Sequence, residues 1–115
     1  MNYELGEVIA ERQVDAIAGD GTFTTVVLRI GKPRPDPLPG GDWCCTRQIL
    51  GLGDEKVAAS FGADSLQALL LCVYGLRLTL DERADAASLR LNWLGQPDLA
   101  LKVDPEVHKL IPPGD

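Results

Sequence analysis

The chain has 115 residues, 45% of them apolar and 24% charged, with a formal net charge of −6 and an isoelectric point near 4.6. That length fits a single domain over residues 1–115, large enough to bury roughly two thirds of its unfolded surface without a metal or disulfide staple. The acidic balance argues against a phosphate-backbone partner, which needs clustered Lys and Arg, and three cysteines do not make a disulfide framework.

The first residues, Met1 to Glu7, are acidic and lack the apolar stretch of a secretory signal. The most apolar segment falls short of the roughly 20 residues that span a bilayer. The expectation is a cytoplasmic protein that contacts neither membrane nor nucleic acid.

The segment 7–17 alternates. Val8, Ala10, Val14 and Ala16 share one parity, interrupted by Arg12, and Glu11, Gln13 and Asp15 share the other, so it reads as a strand with one wet face. Gly19-Asp20-Gly21 is a tight-turn signal. A second strand, rich in Thr and Val, follows over 22–30 and closes an antiparallel hairpin. The stretch 31–42 holds four prolines and three glycines and reads as a stiff surface loop, since proline brings no amide donor to a sheet. Arg29, Lys32 and Arg34 gather there. Strands over 43–52 and 56–61 form a second hairpin through Gly53-Asp54-Glu55.

The long helix is expected over 65–83. Asp64 is placed to cap its first turn, and Gln67, three residues on, to reach back to the Asp64 amide as in a capping box. Leu66, Leu69, Leu70, Val73, Leu76 and Leu80 recur at three- and four-residue spacing and form a stripe for a sheet to cover. On the other side Ala68, Cys72, Gly75 and Thr79 are small, with Leu71, Tyr74 and Leu78 flanking them. No charge appears from Ser65 to Leu76, which is unusual for a surface helix, so this back face is expected to meet the C-terminal segment or another subunit. Asp81, Glu82 and Asp85 have the wrong sign for the end of the helix dipole, so its last turn is expected to fray. Residues 89–94 alternate as a fifth strand, and 99–103 read as a sixth or as an extended arm. Asp104 to Leu110 suggest a short helical turn with Pro105 at its first position.

The chemistry-bearing residues do not converge. His108 is the sole histidine and lies in the tail. Cys44 and Cys45 are adjacent on a strand, so their side chains point to opposite faces, and Cys72 is set to meet one of them across the core; buried free thiols are the expectation. The glycines fit neither the dinucleotide nor the P-loop pattern, and the acids are scattered. No catalytic residue, metal site or cofactor is expected. Trp43 and Trp93, beside strands, suit core packing or a binding face.

Gly41-Asp42-Trp43-Cys44-Cys45, the strand end Ile49 to Leu52, Gly62-Ala63-Asp64-Ser65-Leu66-Gln67-Ala68-Leu69 and Trp93-Leu94-Gly95 resemble a family of small bacterial proteins known only as a domain of unknown function. The resemblance runs from Gly31 to Gly95. It implies a bacterial origin and an α+β fold, and it brings no activity and no site residues.

The reading is therefore an α+β domain: an antiparallel meander of four to six strands with one long helix across one face. The first functional expectation is a non-enzymatic protein-interaction module, an immunity- or antitoxin-like binder of another protein or of a second copy of itself. Leu71, Tyr74, Leu78, Arg34 and Trp43 are the candidate interaction residues. The alternative is a small ligand-binding domain or enzyme with a site between loop 32–42 and the sheet, which a deep pocket with convergent polar groups would mark.

Overall fold

The computed structural model describes residues 3–36 and 42–103. The expected turn over 104–110, His108 within it, and the centre of the proline-rich loop lie outside the described residues. The fold is α+β, one helix against an open antiparallel sheet. The elements are β1 (Val8–Ile17), β2 (Phe23–Gly31), β3 (Arg34–Pro35), β4 (Trp43–Leu50), β5 (Ala58–Gly62), α1 (Ser65–Ala86) and β6 (Arg90–Asn92).

The two expected hairpins form. β1 and β2 pair from Ile17 opposite Phe23 to Val8 opposite Gly31, and β4 pairs β5 from Arg47 opposite Ala58 to Trp43 opposite Gly62. In the turn after β1, the Asp20 carboxylate accepts from the Thr22 amide (3.0 Å) and hydroxyl (2.6 Å). These bonds hold its pKa below the usual value. β2 pairs β4, and β6 returns to the far side of β1, with Asp15 opposite Asn92. The sheet thus departs from a simple meander: α1 carries the chain from the β5 edge to the β6 edge.

Two expectations about pairing need correction. Arg34 and Pro35, inside the loop expected to stay out of the sheet, form the short β3 against Cys44 and Trp43. At the end of so short a ladder the amide that proline lacks is not required. Conversely, residues 99–103 form no strand. Ala100 has φ +52° and donates its amide to the Asp98 carboxylate at 2.9 Å, which breaks the extended line. Leu99 instead turns its side chain into the core.

Even-numbered β1 and β2 residues face α1. Val14, Ala16, Val26, Leu28 and Ile30 are buried there with Ile49. Arg12, the exception on the apolar parity, lies with its guanidinium carbon 3.8 Å from the centroid of the Trp93 ring and donates to the Leu99 carbonyl. A cation on an indole face suits a half-buried site, and this contact fastens the turn after β6 to the sheet. That turn is two residues long, Leu94 (φ +53°) and Gly95 (φ +81°), with the Trp93 and Gln96 amides and carbonyls bonded to each other. Its backbone matches the primed hairpin turns. Leucine is an unusual occupant, since a left-handed backbone costs a non-glycine residue roughly 1–2 kcal/mol.

The start of α1 is as expected in one half. Asp64 Oδ1 accepts from the Gln67 amide at 2.8 Å. Gln67 Oε1, however, accepts from the Ala63 amide at 2.6 Å, one residue ahead of the amide expected. The helix runs past the expected end at 83, to Ala86. Ser88, at φ +55°, donates to the Asp85 carbonyl, and Leu89 donates to the Ala84 carbonyl at 2.8 Å. That is a Schellman closure with serine where glycine is common. Arg77 pairs with Asp81 one turn on, and Arg83 reaches the Asp54 carboxylate at 3.5 Å.

Candidate functional site

The structure turns α1 about its axis relative to the expected stripe. The core takes the small residues Ala68 and Cys72 together with Leu76 and Leu80, and Leu69 and Val73 of the expected stripe pack beside them. Leu66, assigned to the stripe, is 61% exposed. The reason is a close approach of helix and sheet. A Cβ on Gly75 would stand 2.8 Å from the Arg47 guanidinium carbon, so a side chain there would push that planar group from its present place between α1 and β4. Arg47 Nη1 also donates to Ser60 Oγ at 2.6 Å.

Beside Arg47 lie two thiols. Cys45, on the same face of β4, and Cys72, on α1, are both buried and free. In the neutral pair Cys45 Sγ donates to the Gly31 carbonyl and Cys72 Sγ to the Thr46 carbonyl, each at 3.4 Å. A hydrogen bond from Cys45 holds the Cys72 thiol below its ordinary pKa, with the charge of Arg47 and a hydrogen bond from it acting in the same sense against burial. The same thiol–thiol bond, reinforced by burial, drives the Cys45 thiol far up. Cys44 occupies the opposite face of β4, as its parity requires, and burial raises its pKa.

The outer side of α1 is the second feature. Leu66 and Leu78 are exposed, Leu78 at 44%, with Leu70 and Tyr74 half-buried between them. Asp64 precedes this run, and Asp81, Glu82 and Asp85 follow it; all four are exposed.

The five residues expected to make contacts fall in two places. On the helix Leu71 is 9% exposed, Tyr74 half-buried and Leu78 open. At the β3–β4 ladder Arg34 and Trp43 come together, Pro35 being opposite Trp43. Arg34 spends its Nη2 on the Glu4 carbonyl at 2.8 Å, and Trp43 packs against the core. Leu66 was not among the five. The signal for it was the spacing Ala68, Cys72, Gly75, which marks the sheet-facing side and leaves Leu66 opposite.

By loop 32–42 the described residues line an open depression of about 410 Å³ whose walls include Glu7, Lys32, Arg34 and Trp43. A larger cleft of about 620 Å³ lies between the end of α1 and β6, with Asp81, Asp85, Arg90 and Asn92 on its rim. Among the described residues no three His, Cys, Asp or Glu side chains gather to hold a metal ion, and no helix is long and apolar enough to cross a membrane.

A six-stranded sheet crossed edge to edge by one helix is a small α+β architecture without a convergent catalytic group among the described residues. The chain belongs to a family described as a domain of unknown function, DUF6968, whose model matches residues 10–103. No curated protein and no solved structure matches it.

Proposed function

We propose that the protein is a non-enzymatic interaction module of the bacterial cytoplasm that binds a basic partner protein through the outer side of α1, as an immunity or antitoxin protein does. One observation carries this reading: the helix runs without a charge from Ser65 to Leu76, yet Leu66 and Leu78 are exposed on the side away from the sheet. An apolar centre bordered by Asp64, Asp81, Glu82 and Asp85 suits an interface with an apolar core and a charged rim. The net charge of −6 steers a basic partner toward it.

The test is affinity capture by the tagged chain from its native host, beside capture by a Leu66→Asp variant whose circular dichroism is unchanged. A stoichiometric basic protein held by the wild type and lost by the variant supports the proposal. A monomer by light scattering that retains no partner overturns it, and a homodimer disrupted by Leu66→Asp replaces the basic partner with a second copy of the chain.

The larger cleft favours a second reading, a small-molecule site. Asp81, Asp85, Arg90 and Asn92 give it polar groups of both signs. Thermal shifts against a panel of charged metabolites test it, and no shift with any of them removes it.

A further inference from the structure

We propose that the face of the sheet turned away from α1 is a peptide-binding groove, filled in cis by residues 3–7, whose ligand is an extended segment with an aromatic residue three positions before a glycine. This groove and the outer side of α1 lie on opposite faces of the sheet, so the two binding sites are independent.

Cys44 and Thr46 alternate on β4 with Cys45 and Arg47, which face α1, so they face the other way. The register sets Phe61 of β5 and Arg34 of β3 on either side of Cys44. Residues 3–7, which belong to no strand, lie along this row. The Tyr3 ring meets the Phe61 ring edge-on, with 5.9 Å between centroids. Arg34 Nη2 donates to the Glu4 carbonyl at 2.8 Å, and Thr46 Oγ1 donates to the Leu5 carbonyl at 2.8 Å. The Lys32 amide donates to the Glu7 carbonyl at 2.8 Å. Beneath this segment Cys44 and Thr46 are each 1% exposed, although no helix covers them.

The groove reads backbone first. All three hydrogen bonds end on main-chain carbonyls, which any extended chain presents. A Cβ on Gly31 would collide with the Leu5 carbonyl and the Thr46 hydroxyl, so this bare position lets the segment settle on β2. Two positions of the ligand are then selected. Gly6 has φ +72°, and a Cβ there would stand 2.7 Å from Arg34 Nη1, so a side chain would be strained and would displace the arginine. Phe61 selects an aromatic ring where Tyr3 lies. Glu4, Gly6 and Glu7 remain exposed, so the segment can lift without opening the core. Being tethered, it acts at an effective concentration on the order of millimolar, and a peptide in trans enters only when the cis segment is weakened.

The experiment uses the full chain with Gly6→Val, which weakens the cis segment and leaves every residue of the groove in place. A dye-labelled peptide copying residues 2–8 is titrated by fluorescence anisotropy. The variant is expected to bind one peptide per chain. Wild type should bind it at least about tenfold more weakly, the factor set by a groove open no more than one time in ten. The same peptide carrying Gly6→Val should bind neither chain. Alkylation of the native chain by iodoacetamide, mapped by mass spectrometry, reports the same event. Cys44 should be modified in the variant and protected again by the peptide, with Cys45 and Cys72 protected throughout. Tyr3→Ala takes the place of Gly6→Val if circular dichroism shows that the latter unfolds, since it removes the ring contact without backbone strain. Adding Leu66→Asp should leave peptide binding unchanged, which separates this groove from the outer side of α1. A folded variant that exposes Cys44 and binds no peptide overturns the proposal. So does Cys44 protected in both variants, wild-type binding as tight as the variant's, or equal binding of the two peptides.

Discussion

The two sides of α1 are both apolar and have opposite fates. The side against the sheet is made of Ala68, Cys72 and Gly75 with Leu76 and Leu80, and it lets an arginine and two thiols sit beneath the helix. The outer side carries Leu66, Leu70, Tyr74 and Leu78, larger and more apolar, and remains partly or wholly open. The difference teaches that side-chain size decides which face packs when a helix lacks charges over most of its length. Small residues permit a close approach, and close approach gains more dispersion contact than a looser seat on larger side chains.

The comparison is broken most directly on the inner side. Leu80→Ala removes a fully buried side chain and should cost about 2–5 kcal/mol, read as a lower urea midpoint; a loss near zero would mean that this side is not the packing side. Gly75→Val places branches where Arg47 lies and should cost about 1–3 kcal/mol by overpacking. Adding Arg47→Ala to Gly75→Val should return part of that loss in a double-mutant cycle, and strict additivity would separate the two residues.

Asp64→Ala tests the start that both sides share. Loss of the cap on the Gln67 amide should lower stability by about 0.5–2 kcal/mol, and chemical denaturation unchanged from wild type would show that Gln67 holds the first turn alone. The smallest effect belongs to the outer side. Leu66→Asn and Leu78→Asn should each change stability by no more than about 0.5 kcal/mol while weakening partner capture. A loss comparable with that of Leu80→Ala would mean that the outer side is covered.

Much of the sheet was legible because strand periodicity and turn residues agree: Gly19-Asp20-Gly21 lies between β1 and β2, and Arg12 interrupts an otherwise apolar parity. The helix start was legible from Asp64 and Gln67, whose spacing is itself the capping geometry. The rotation of α1 was not, because a stripe of leucines is the usual mark of a buried face and nothing in the sequence alone places Arg47 opposite Gly75. The candidate site followed the same line. The absence of charge on the helix pointed to a second apolar side that would meet the C-terminal segment or another subunit; Leu71, chosen on that side, is buried, whereas Leu66, assigned to the sheet-facing stripe, is open. Residues 99–103 alternate in sequence, yet the Asp98 carboxylate and the left-handed Ala100 redirect them, a local bond that hydropathy does not register.

The pairing of Asp15–Ile17 with Arg90–Asn92 has a consequence for the order of events at the ribosome. β1 emerges early, and one edge is soon paired by β2, but its other edge waits for a partner on the far side of the helix. At about 5–20 residues per second that interval lasts several seconds, during which bare amides and carbonyls of a partly apolar strand stay unpaired. Glu11, Gln13 and Asp15 lie along that strand, and their polarity discourages the nascent chain from borrowing a neighbour's strand before its own arrives.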